Sequence, residues 1–199
     1  MCPGCSPDVL APLTDAQLDA LREMANIGAG HGAVALSRML DGERVGFAPP
    51  GARELTAAGL AAILGEASAP RVVAGVEVAG EARSSLWLVL SPADAEALAQ
   101  ALTQKETPGP REFDAALTEA ARTVASAALA AMARLTGLQL EAASSRLWRS
   151  SVGALAEERC GDHRVLVLDV QLRLPRVAVE LLLLPEATTV GALLRALRV

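Results

Sequence analysis

The chain has 199 residues, 52% of them apolar and 21% charged, with a formal net charge of −5 and a pI near 5.1. That is enough apolar material for one well-buried core, or for two small halves sharing one. The acidic balance and the lack of any Lys/Arg cluster exclude a nucleic-acid binder, and the longest apolar runs, 124–133 and 181–184, fall far short of the ~20 residues that span a bilayer.

Residues 1–12 read as a flexible tail with neither the basic region nor the apolar core of a signal peptide, which makes a cytoplasmic location the default. Cys2 and Cys5 form a C-x-x-C pair, but zinc needs four ligands, and His31 and His163 are single and distant. A redox pair belongs at the start of a helix packed on a sheet, whereas this one sits among Pro and Gly, so reduced thiols are expected. Cys160 reads as a small, semi-buried side chain.

A long helix is predicted over 14–40, opened by a capping box of Thr14 and Gln17 and stopped at Gly42. At ~100° per residue, Asp19, Glu23 and Asn26 fall within about 60° of one another, while Leu18, Leu21, Met24, Ala25 and Gly28 point the other way. A carboxylate and a carboxamide one turn apart on a display face can hold a cation with one group and orient a water with the other. That is the equipment for hydrolysing a phosphoryl group bound elsewhere. Gly28, Gly30 and Gly32 follow no strand and lie mid-helix, which excludes a phosphate loop. Their cost in helix propensity points to close packing on the sheet or a neighbouring helix, or to close approach of a partner. His31, about 140° around from Asn26, reads as a surface residue.

A short strand over 44–48 and a short helix over 54–64 are expected next, then strands over 71–78 and 82–90 joined by a hairpin turn at 79–81. After Pro108-Gly109-Pro110 the order recurs, with a long helix over 111–136, a strand over 139–150, a short helix over 151–158, and strands over 163–173 and 176–184 broken at Pro175. A shift of 96 residues lays Ala20-Leu21-Arg22-Glu23 on Ala116-Leu117-Thr118-Glu119, and Pro92 and Pro185 are each placed to open a terminal helix. Leu166, Leu168, Val170 and Leu172 alternate with Val165, Val167, Asp169 and Gln171, so one strand face is apolar throughout and the other turns polar. The fold class is therefore α+β, an internally duplicated pseudo-twofold domain with an antiparallel sheet of about six strands and helices against it. The linker between the pseudo-repeats, 13–107 and 108–199, is too short to separate independent units, so 13–199 reads as one domain.

The phrase Asp19-x-x-x-Glu23-x-x-Asn26, followed by 22 residues and Pro49, resembles the signature of the CheC/CheX/FliY family of chemotaxis phosphatases, and CheC above all. Asn26-Ile27-Gly28-x-Gly30 and Ala35-Leu36-Ser37-x-Met39-Leu40 continue the likeness. The resemblance implies two long helices side by side on one surface of the sheet. It implies a phosphatase that hydrolyses the aspartyl phosphate of a CheY-like receiver and so terminates chemotaxis signalling. It also implies Glu23 and Asn26 as catalytic residues, with Asp19 supporting Glu23 or touching the partner's rim and Pro49 fixing the flanking loop. The second copy departs from the motif. Glu119 matches Glu23, but Ala115, Arg122 and Ser145 stand in the other positions, and a guanidinium has no acceptor with which to replace a carboxamide. That site is expected to be inert, with Glu119 and Arg122 paired to each other. No cofactor or metal of its own is expected, Mg2+ being supplied by the phosphorylated receiver. The alternative is an adaptor binding CheD, a flagellar switch component or a receiver.

Overall fold

The computed structural model describes residues 12–199. The first long helix, α1 (Asp15–Met39), starts where the capping box places it. The Thr14 hydroxyl accepts from the Gln17 N–H at 3.3 Å and the Gln17 side chain accepts from the Thr14 N–H at 3.0 Å. It ends as Asp41 and Gly42 turn into the left-handed region, at φ 53° and 86°. Its counterpart, α4 (Pro110–Thr136), opens with Pro110 in the first turn and stops at Gly137, φ 75°. The shorter helices are α2 (Ala57–Leu64), α3 (Pro92–Thr103), α5 (Val152–Cys160) and α6 (Ala187–Leu197).

Seven strands form one antiparallel sheet: β1 (Gly46–Phe47), β2 (Gly51–Leu55), β3 (Pro70–Gly80), β4 (Ser84–Leu90), β5 (Leu140–Ser151), β6 (Val165–Arg173) and β7 (Ala178–Pro185). The order is β1-β6-β7-β4-β3-β5, with β2 also on β6. The two halves exchange their leading strands: β1 and β2 of the first pair with β6 of the second, and β5 of the second pairs with β3 of the first. The hairpins β3–β4 and β6–β7 meet at the centre through β4 and β7. Both halves thus build the same sheet.

Apolar side chains cover both sheet faces. Val72, Ala74, Val76, Leu86, Leu88, Leu166, Leu168, Val170, Leu181 and Leu183 pack with Leu21, Met24, Leu36, Leu117, Val124 and Leu129 of α1 and α4. The alternate residues Val73, Trp87, Val89, Val167, Leu182 and Leu184 pack with Leu60, Leu64, Val152 and Leu155 of α2 and α5. Burial on both faces is why β3, β4 and β7 read as nearly continuous apolar runs.

Three expectations need correction. The segment expected to be loop and helix start forms β2, and α2 begins only at Ala57, capped by Thr56. The strand expected over 44–48 is only β1, continued by β2 after a break at Pro49-Pro50. Pro92 opens α3, but Pro185 ends β7 and α6 begins at Ala187, because Pro185 still pairs with Ser84.

Candidate functional site

α1 and α4 lie side by side and run antiparallel: Gly28 faces Met132, and Gly32 faces Val124 and Ala128. A methyl group on Gly28 would come within 2.2 Å of the Met132 Cε, and one on Gly32 within 3.1 Å of a Val124 methyl. Two of the three glycines are therefore interhelical spacers, which settles between the readings left open by the sequence. Burying Leu21, Met24, Ala25, Gly28 and Ala29 on this side turns the polar stripe outward.

On that outer face Glu23 is exposed and Asn26 half-buried, one turn apart. Among the described residues neither side chain makes a hydrogen bond or an ion pair, so a carboxylate and a carboxamide stand unpaired on the outer face of the helix. Asp19 is different. Its carboxylate pairs with Arg22, three residues on, rather than with Glu23. With side chains 71% and 42% exposed, that pair contributes a few tenths of a kcal/mol at most.

Pro49 lies in the break between β1 and β2, at the sheet edge. β1 and β2 share β6 as partner, but the register slips between Phe47 opposite Leu172 and Gly51 opposite Asp169, so three residues oppose two. Pro49 and Pro50 fill this bulge, at the sheet edge where a missing N–H costs least. Phe47 faces the same way as its cross-strand partner Leu172, toward α1, and its ring edge lies 3.8 Å from where a Cβ on Gly30 would be. The third glycine of α1 thus lies against this ring, one turn past Asn26.

The corresponding turn of α4 is closed. The Arg122 Nη2 and Nε donate to the two Glu119 oxygens at 2.6 and 3.0 Å, and the Thr123 hydroxyl donates to the same carboxylate at 3.4 Å. Arg122 holds the Glu119 carboxyl below the usual range through those hydrogen bonds, and Glu119 in turn raises the guanidinium. Ser145, at the position matching Pro49, lies in β5 opposite Val76.

Among the described residues no three His, Cys, Asp or Glu side chains are grouped to hold a metal, and no helix is long and apolar enough to cross a membrane. Cys2 and Cys5 lie outside the described residues. Cys160, the last residue of α5, is buried, and desolvation raises its thiol, while His31 and His163 are exposed. An open groove of about 460 Å³ runs between α3 and the β6–β7 turn, lined by Glu43, Leu98, Gln104, Leu174 and Arg176 among others. Neither Glu23 nor Asn26 lines it. The stripe on α1 lies on the outer face of the helix, away from this groove.

No protein-family model matches the chain. Over 172 residues it is 27% identical to the CheY-P phosphatase CheC of Bacillus subtilis, spanning 78% of this chain and 79% of that protein. Its fold is similar to that of Thermotoga maritima FliY, with a TM-score of 0.76 and 18% identity over 94% of this chain and 98% of that one. A chain of the CheX-CheY-BeF3-Mg2+ complex from Borrelia burgdorferi matches at 0.56, with 18% identity over 85% and 99%. A chain of the FliG-FliM complex from H. pylori matches at 0.67, with 11% identity over 92% and 100%.

Proposed function

We propose that this chain, a relative of the CheC/CheX/FliY proteins in sequence and fold, is a phosphatase for the aspartyl phosphate of a CheY-like receiver, working from one site on α1. The observation that carries this reading is the contrast between the two long helices. Glu23 and Asn26 stand open on α1, whereas Glu119 is tied to Arg122 on α4. The relative that hydrolyses CheY-P, and the like-folded partner in a complex with CheY, support a receiver as the substrate.

An acyl phosphate on a receiver already sits beside that domain's own Mg2+ and lysine, so what a phosphatase adds is position. The Asn26 carboxamide, neutral, short and held by a helix, accepts a hydrogen bond from the attacking water and sets it in line with the bond to be broken. Water oxygen bonds to phosphorus, the aspartyl oxygen leaves with the bond's electron pair, and inorganic phosphate and a free carboxylate result. Glu23 pairs with the receiver's lysine and seats the helix. Asp19, held by Arg22, stays at the rim of the contact. No ion of the chain's own takes part, and the protein acts in the cytoplasm, where its substrate is. Metal analysis of the purified chain checks this point. A stoichiometric ion that survives removal of residues 1–12 contradicts it, and one lost on that removal assigns it to Cys2 and Cys5.

A second reading has one observation in its favour, the FliM-like fold found in complex with FliG. In it the chain is an adaptor that binds CheD, a switch component or a receiver without turnover. The deciding experiment follows phosphate release from CheY-like receivers of the host, charged with acetyl phosphate, with and without the chain. Accelerated release supports the phosphatase, and binding of beryllofluoride-loaded receiver without acceleration supports the adaptor.

A further inference from the structure

Val34 and Phe47 are large apolar side chains left 51% and 38% exposed. They belong to different elements, α1 and β1, yet they flank one spot. Gly30 lies between them, with the Phe47 ring against it and Val34 one helical turn further on. Asn26 is one turn back on the same face, so the apolar patch is continuous with the polar stripe. Building it takes two departures from regular structure. Gly30 gives up about 1 kcal/mol of helix propensity, and the Pro49-Pro50 bulge interrupts pairing to β6. The second half lacks the glycine, although β5 has a bulge of its own at Ala143-Ser144 against β3. At the 96-residue spacing it carries Ser126, Ala130 and Ala143 in place of Gly30, Val34 and Phe47, on the helix whose polar pair is closed. The apolar patch and the open Glu23/Asn26 pair occur together on one helix and are missing together from the other.

We infer that Gly30, Val34 and Phe47 form a docking shelf for the receiver, and that Phe47 and Val34 are specificity-determining contacts which seat the phosphorylated surface over Asn26. The inference rests on the receiver-phosphatase reading of α1 and adds its apolar half. The occupant is a folded domain, the receiver, because the shelf is the outer surface of α1 and the edge strand β1 and runs on from the Glu23/Asn26 stripe. It must present an apolar side chain beside its phosphoaspartate, since the shelf and Asn26 lie within one or two turns. Pro49 is a positioning residue in this scheme: the bulge it fills aims Phe47 at α1. Central apolar anchors beside a polar contact are where binding energy concentrates in such interfaces.

Phe47→Ser and Val34→Ser test the shelf on receivers charged with acetyl phosphate. Each is expected to raise KM about tenfold while kcat stays within about twofold, and Phe47→Leu is expected to restore most of the affinity. Beryllofluoride-loaded receiver should bind the two serine variants with a matching loss. Should Phe47→Ser unfold, Val34→Ser on the outer face of α1 carries the test. Wild-type KM in Val34→Ser and Phe47→Ser overturns the inference while leaving the phosphatase reading intact. A self-associated chain that Phe47→Ser turns monomeric, with KM unchanged, overturns it in favour of a second copy as occupant. Failure of the wild-type chain to bind or turn over any receiver overturns the reading of α1, and the shelf with it.

Discussion

Arg122 grips both oxygens of Glu119, at 2.6 and 3.0 Å, on the turn of α4 that corresponds to Glu23 and Asn26 on α1. Of the two long helices, α1 leaves its polar pair open, and α4 closes its own with its own side chains. Removing the closed pair and removing the open one should therefore have different consequences.

Asn26→Ala is expected to slow receiver dephosphorylation by roughly 10² or more, the size of effect that follows loss of a water-positioning group. Arg122→Ala should leave the rate within about twofold, since it frees an exposed carboxylate without supplying a carboxamide. Single-turnover decay of the phosphorylated receiver measures both. Loss of turnover in Arg122→Ala with an active Asn26→Ala would move the site to α4.

Docking and chemistry separate at Glu23. Glu23→Gln should weaken binding of beryllofluoride-loaded receiver and flatten its dependence on ionic strength, because an exposed ion pair is screened by salt. Asn26→Ala should leave that affinity within a few-fold and lower the catalytic step instead. Equal losses of affinity, with no separate defect in turnover for Asn26→Ala, would make the chain an adaptor.

Gly80 closes the first half's hairpin at φ +113°, and a Cβ there would lie 2.0 Å from the Gln139 carbonyl oxygen, a backbone atom that no rotamer change can move. Gly80→Ala is expected to cost about 2 kcal/mol or more. Gly42→Ala, also at positive φ but with nothing within 4 Å, should cost less, since only the backbone strain remains. Denaturant unfolding of the two variants checks the order.

Asp169 sits against Gly51 with its Oδ1 buried and unpartnered and its Oδ2 accepting from Arg53 at 3.3 Å. Burial raises its carboxyl above the usual 3.8, outweighing Arg53. The folded state therefore holds this proton to higher pH than the unfolded chain, and stability falls as pH climbs from about 3.8 through the raised value. Asp169→Asn removes the penalty. Its Tm should exceed that of the wild type near pH 7, with the difference shrinking toward about pH 4. A constant difference across that range would assign the effect to packing.

What could be read in the residues was what depends on local periodicity. The Thr14/Gln17 box and the i, i+4, i+7 stripe are properties of a single helix, so α1 and its outward Glu23 and Asn26 were legible before any fold was known. The Glu119–Arg122 pair, three residues apart, was legible for the same reason. β2 was not, because Gly51-Ala-Arg-Glu-Leu has no β-branched or aromatic residue to mark a strand.

Relations between distant segments were decided only by the tertiary structure. The exchange of β1/β2 and β5 between halves is set by edge pairing that leaves no local trace. Gly28 and Gly32 announced close approach but not what approaches, and packing supplied Met132 and Val124. Phe47 showed nothing in the sequence beyond an aromatic ring before two prolines. Its place beside Asn26 exists because a one-residue slip on β6 aims it at Gly30. Side-chain spacing along one element follows from backbone geometry alone, whereas the meeting of two elements follows from the burial of every apolar face at once.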